Sequence, residues 1–395
     1  MTSPVLPHAT PEDVGLSTAG LARLGSVMRG EIERGRVPGA VALVARRGRV
    51  AYFESYGRRD PSSPDPMARD SIFRIYSMTK PIVSVAAMML WEEGRFLLSD
   101  PIDKYLPELG RRKVALVRGA EIELVDAERP ITIQDLLRHT SGLTYEFRGS
   151  GPVHKMYMAE RIYSRNQSNA DQVAALAKLP LLHQPGTKWE YSRSTDVLGR
   201  LIEVLSGLTL GEYLQRHIFA PLGMVDTAFY VPAAEHGRLA EAFAKDPDTG
   251  AGVQLINVQD APKFESGGGG LVSTAGDYAR FLQMLLNGGR LDGVRFLSRK
   301  TLELMTADHL GSITGAPDLL LPGYGFGLGF AVRLQPGIAH VPGSVGQYFW
   351  GGLAGTTFWV DPAEALFAIM LIQGPGQRDY FRNLFRDLVY AAFDD

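Results

Sequence analysis

Cysteine is missing altogether from the 395 residues. That excludes disulfides, thiolate metal ligands and a cysteine nucleophile, and it agrees with a reducing compartment. An excess of one charge is missing too: 41 basic side chains face 43 acidic ones, a formal net charge of -2. Such a balance does not draw the chain to nucleic acid or to an anionic membrane. No apolar run approaches the roughly 20 residues that span a bilayer. The opening MTSPVLPHATPEDVGLS has neither the basic nor the apolar part of a secretory signal. None of the eight histidines pairs with another at metal-ligand spacing. The expectation is a soluble, cytoplasmic protein without metal or cofactor, whose partner is a small molecule.

Hydrophobic residues at 45% and charged residues at 21% are ordinary for such a chain. Its length suggests roughly two compact lobes. Thr18 to Arg34 has apolar residues at helical spacing, and VPGAVALVARRGRVAYFESYG reads as an antiparallel hairpin around an Arg-Gly turn. Ser77 to Gly94 is helical again, with Pro81 tolerated in the first turn. From about 115 to 235 the pattern is mostly helical. Then Tyr348–Leu353, Thr356–Val360 and Ala365–Gln373 read as strands, and Tyr380–Phe393 as a closing amphipathic helix. The expected fold class is α/β (α+β), an antiparallel sheet flanked by helices. Residues 1–115 and 236–395 would form one discontinuous lobe, 116–235 an inserted helical lobe, and the active site would lie between them. The clusters Arg46-Arg47-Gly48-Arg49 and Arg111-Arg112-Lys113 read as solvated turns rather than anion sites.

Three short strings carry chemistry. Of the nine lysines, only Lys80 follows a serine, Ser77, by three residues. On a helix that spacing puts both on one face, so an amine can reach the hydroxyl it must deprotonate. A helix N-terminus adds N–H groups and a positive dipole beside the oxyanion. Taken alone, the pair fits equally a capping serine beside a solvated lysine. Tyr191, in Pro185-Gly186-Thr187-Lys188-Trp189-Glu190-Tyr191-Ser192, follows a turn and precedes a helix. It could point into a cleft or merely anchor a loop. Trp350-Gly351-Gly352-Leu353 sits on a strand, where two glycines open the backbone to a ligand or mark a bulge.

Together and in this order, the strings resemble the serine β-lactamase and penicillin-binding fold family. Within it they are most similar to the family VIII carboxylesterases, which share the architecture of class C β-lactamases. Supporting strings are Leu136-Leu137-Arg138-His139-Thr140-Ser141-Gly142-Leu143 and Ser266-Gly267-Gly268-Gly269-Gly270-Leu271-Val272-Ser273-Thr274. The resemblance runs from about residue 12 to 390. It implies that Ser77 forms an acyl-enzyme, that Lys80 and Tyr191 share the proton traffic, and that the Ser77 and Leu353 N–H groups form the oxyanion hole. Trp350, Gly351, Gly352 and Tyr145, with Phe349, are then candidates for the substrate pocket.

Free lysine titrates near about 10.4 and free tyrosine near about 10. Burial alone would need roughly 4–5 kcal/mol to bring a lysine to about 7, whereas a tyrosine beside an ammonium has its own pKa lowered. The expectation is therefore a coupled pair rather than a lone lysine base. Two departures from the family pattern bear on substrate. Trp350 replaces the cation that holds a penicillin carboxylate, and Arg193 replaces the asparagine that ends the middle box. The first favours uncharged esters, the second removes an amide that could orient a substrate's acyl amide, and together they leave weak β-lactam turnover at best. A Ser-His-Asp triad through Asp135 and His139 is disfavoured, because no Gly-x-Ser-x-Gly elbow occurs. An acyltransferase, an amide hydrolase and a non-catalytic binding protein are the alternatives.

Overall fold

The computed structural model describes residues 6–119, 121–315 and 318–395. A helix α1 (Thr18–Glu33) begins behind Ser17, whose hydroxyl accepts from the Gly20 N–H at 3.2 Å. Strands β1 (Gly39–Arg46) and β2 (Arg49–Gly57) follow as the expected hairpin. Arg47 and Gly48 both take positive φ, 52° and 76°, as a two-residue hairpin turn demands. β1, GAVALVAR, is buried at every position. It is apolar on both faces because helices cover both sides of the sheet.

The chain then leaves the sheet. Helix α2 (Thr79–Glu92) is enclosed nearly all round, which matches its continuous apolar sequence, and it packs on α3 (Ser194–Ser206). Helix α4 (Ala275–Leu286) lies on β1. Five more strands come from the C-terminal part: β3 (Tyr324–Phe326), β4 (Ala331–Arg333), β5 (Tyr348–Gly351), β6 (Thr357–Asp361) and β7 (Leu366–Ile372). The sheet order is β2-β1-β7-β6-β5-β4-β3, antiparallel throughout, so both ends of the chain meet at the β1–β7 pair. Helix α5 (Arg378–Tyr390) closes against α1 and β7. Among the described residues no helix is long and apolar enough to cross a membrane.

Several expectations need correction. β3 and β4 are absent from the sequence reading; each is three residues long among glycines, too short to show a period. The stretch expected to be helical opens instead with a hairpin, Lys113–Arg118 and Glu121–Asp126. Nor are the basic clusters simply solvated. Arg46 is buried and donates to the Val14 and Gly15 carbonyls at 3.0 and 2.8 Å, and to Glu364 and Asp395. Arg112 is buried too, donating to the carbonyl of Leu176 at 2.8 Å.

Candidate active site

Ser77 lies in a single 3-10 turn, Tyr76–Met78, that runs straight into α2. Its backbone sits where helix N–H groups are unpaired and the dipole is positive. The preceding residue, Tyr76, holds φ at +44°, a strained value for a side chain of its size. Its hydroxyl accepts from the Ile256 N–H at 3.0 Å, which fixes this kink.

One turn along, Lys80 is 1% exposed. Its Nζ donates to Ser77 Oγ at 3.2 Å, Tyr145 OH at 2.9 Å and the Gly268 carbonyl at 2.6 Å. All three acceptors are uncharged. Burial therefore lowers the amine to about 7; Asp196 pulls it back only in part, and Arg193 pushes it further down. Tyr145 was expected only as a pocket aromatic, yet it belongs to this cluster. Burial holds its phenol well above the usual range.

Tyr191 faces Lys80, whose Nζ is 4.4 Å from the ring centre. Its hydroxyl bonds the Ser77 side chain and accepts from Trp350 Nε1 at 3.1 Å. Burial raises its pKa despite both hydrogen bonds. The lowering expected for a tyrosine beside an ammonium is outweighed at Tyr191 by burial, and it is the amine of Lys80 that is lowered. His139, Tyr145, Trp189 and Trp350 rings pack around Tyr191 at 4.9, 5.4, 6.2 and 5.2 Å. That apolar wall penalises a phenolate more than a half-neutral lysine can repay.

A second layer was missed in the sequence. Arg193 donates to Glu146 at 2.5 Å and to Asp196 at 3.3 Å, and lies 4.7 Å over the Tyr145 ring. Asp196 also accepts from Ser266 Oγ at 2.6 Å and from the Gly268 N–H at 2.9 Å. The same Gly268 peptide presents its carbonyl to Lys80. A Cβ on Gly268 would stand 2.8 Å from Tyr145 OH and 2.9 Å from Asp196, so only glycine fits. The glycine run is the turn at the cleft expected from sequence. Its signal was present, as was the three-residue spacing of Arg193 and Asp196.

The Trp-Gly-Gly string behaves differently from its sequence reading. Gly351 ends β5, and a Cβ on Gly352 would meet the Ile75 carbonyl at 2.5 Å and Thr356 Oγ1 at 2.2 Å. The close approach is to the chain just ahead of Ser77 rather than to a ligand alone. Leu353, next along, has an N–H without an acceptor among the described residues. His139 is buried, bonded to Ser192 and held below its ordinary pKa by burial, while Asp135 is taken up by Arg129, Arg138 and Thr140. The two do not form a triad.

Two cavities meet at Ser77, Phe147 and Leu353. One, of about 300 Å³, is lined by Tyr191, Phe349, Trp350, Gly351 and Gly352, with Arg148, Arg378 and Arg382 at its edge. The other, of about 480 Å³, runs along Tyr76, Tyr145, Ile256, Phe264 and Gly268 to Gly270. A buried amine lies against a serine hydroxyl at the mouth of this cleft. A family model described as beta-lactamase matches residues 24–392. The chain belongs to the beta-lactamase family.

Within that family it is 32% identical to Esterase EstB of Burkholderia gladioli over 96% of this chain and 98% of that one. Protein Rv1367c of Mycobacterium tuberculosis is 39% identical over 86% and 87% of the two chains. Among solved structures, EstCE1, described as a hydrolase with promiscuous acyltransferase activity, superposes with a TM-score of 0.79 at 28% identity, covering 94% and 98%. The fold is the β-lactamase-like one, and the family together with its esterase relatives supports a serine hydrolase.

Proposed function

We propose that the protein is a carboxylesterase acting on short- to medium-chain esters through a Ser77 acyl-enzyme. The observation that carries this reading is the Lys80 amine, 3.2 Å from Ser77 Oγ and brought to about 7 by burial. At neutral pH a substantial fraction is free base, so Lys80 takes the hydroxyl proton as Oγ attacks the ester carbonyl. The Ser77 and Leu353 N–H groups receive the oxyanion. Tyr191, kept a neutral phenol, gives its proton to the departing alkoxide and is reprotonated from Lys80. The Trp350 indole can only donate, so its bond to Tyr191 fills an oxygen lone pair and leaves the phenolic proton for the site. Water then repeats the sequence on the acyl-enzyme.

Trp350 where β-lactamases and peptidases carry a cation, and Arg193 spent on Glu146 and Asp196, support neutral esters over β-lactams at the reaction centre. A second reading, acyl transfer to an alcohol, is favoured by one observation: two cavities adjoin Ser77, room for an acyl group and an acceptor at once. Tyr145, Tyr191 and Arg193 come from the middle segment, which supports a site between the two lobes, with a boundary that falls outside the strand Lys113–Arg118 rather than at 115. The test is hydrolysis of p-nitrophenyl acetate, butyrate and octanoate beside a chromogenic cephalosporin, with and without added alcohol. Ester turnover that rises with pH through about 7, as Lys80 loses its proton, is expected. Undiminished turnover in Ser77→Ala would sink the reading; an alcohol that diverts most acyl groups from water would select the transferase.

A further inference from the structure

The larger cavity holds a group that ester chemistry at Ser77 leaves unused. Arg165 lines it, from the loop between the helices Pro152–Ala159 and Asn169–Ala177. The Arg165 carbonyl accepts from the Lys263 and Phe264 N–H groups at 3.1 and 3.3 Å, so its backbone is held against the opposite wall. The guanidinium is held less firmly than the backbone. Its Nη2 is buried without a hydrogen-bond partner, and no carboxylate among the described residues pairs with it. The other arginines at the two cavities each face a carboxylate, although the Nε of Arg148 and of Arg382 is likewise buried without a partner: Arg193 with Glu146 and Asp196, Arg148 with Asp318, Arg378 and Arg382 with Asp379. Two charges act on Arg165 from a distance: the cation Arg74, itself satisfied by Glu241, and the carboxylate Asp260, which makes no ion pair with it. Burial accordingly pulls Arg165 below its ordinary pKa.

An unmatched guanidinium on an apolar wall is costly unless something else brings the acceptor. Tyr76, Ile256 and Phe264 offer a hydrocarbon body a place to lie. A planar guanidinium offers a carboxylate two parallel hydrogen bonds. We propose that Arg165 anchors a carboxylate carried by the substrate, so that the preferred esters have an apolar body and a free acid group in one of their two halves. This deepens the esterase reading and rests on it for turnover at Ser77. It also complements Trp350: the chain lacks a cation at the last strand and carries an unpaired one across the cleft.

Binding without turnover tests the anchor separately. Octanoate and octanamide are titrated calorimetrically into the wild type, Arg165→Gln, Arg165→Lys and the surface control Lys263→Gln. Octanoate is expected to bind about tenfold or more tightly than octanamide, in the range of a hydrogen bond to a charged group. Arg165→Gln should abolish that preference, Arg165→Lys keep part of it, and Lys263→Gln keep it whole. Turnover of the p-nitrophenyl monoester of adipic acid against p-nitrophenyl hexanoate, and of 6-butyryloxyhexanoate against its amide, then shows which half bears the acid. No preference for octanoate, or a preference that survives Arg165→Gln, overturns the proposal. A preference lost with Arg165 but no ester turnover leaves the anchor standing and removes the esterase reading instead.

Discussion

Lys80 and Arg193 are two cations buried side by side, 1% and 7% exposed, and they meet opposite fates. Arg193 has Glu146 and Asp196 against it. Burial opposes its charge, yet Asp196, Glu146 and Tyr145 overcome that penalty and raise its pKa. Lys80 has only a hydroxyl, a phenol and a carbonyl, and burial brings it to about 7. Asp196 serves both, but its carboxylate touches Arg193 directly and acts on Lys80 only through space and by way of the Gly268 peptide. The lesson is that burial alone does not decide charge. Arg193 receives formal anions and keeps its charge, and Lys80 receives only dipoles and tends to lose it.

The largest effect that tests this contrast comes from Lys80→Arg. A guanidinium stays protonated at any working pH, so the hydroxyl keeps its proton and kcat should fall about 1000-fold, within the range for losing a general base. More than a tenth of wild-type activity in p-nitrophenyl butyrate hydrolysis would mean the site tolerates a permanent cation. A smaller effect lies in stability. Lysine has its folded pKa depressed from 10.5 to about 7. Between those values the unfolded chain binds a proton that the folded chain lacks. Wild-type stability should therefore rise with pH across that window, by up to about 1.4 kcal/mol per unit, and the penalty is fully present below about 7. Lys80→Met has no such slope. Urea unfolding at pH 7, 8 and 9 should show the gap between variant and wild type shifting steadily in favour of the wild type. Parallel curves would put Lys80 in the same class as Arg193.

Much of this site is legible in the sequence, for local reasons. Ser77 and Lys80 share a helix face because they are three apart, and Tyr191 and Trp350 stand in strings whose family spacing is recognisable. The hairpin of β1 and β2 shows through its period and its Arg-Gly turn. What escapes is long-range or short. The Lys80–Tyr145 bond joins residues 65 apart and the Asp196–Gly268 bond residues 72 apart, and no periodicity links either pair. β3 and β4 are held by their neighbours in the sheet rather than by their own three residues. The proton balance escapes as well. It depends on the ring packing around Tyr191, which turns an expected acidic phenol into one that resists ionisation.

Trp350 sharpens the comparison at its finest point, because it acts on Tyr191 without carrying charge. Its Nε1 lies 3.1 Å from the phenol oxygen, and its ring also meets Phe326 edge-on at 5.3 Å. Trp350→Phe keeps an aromatic wall and removes only the donor. The phenol oxygen then loses a neutral hydrogen bond, worth about 1 kcal/mol, and its proton is no longer confined to the Ser77 side. We expect kcat for p-nitrophenyl butyrate to fall about fivefold with KM nearly unchanged, since a direction-setting bond matters most when the proton moves. A rise in KM at constant kcat would instead make the indole a binding wall. In that case Tyr191 would be oriented by Ser77 and its ring neighbours alone, and dipoles from Trp350 would have no part in the proton transfer proposed for Lys80 and Tyr191.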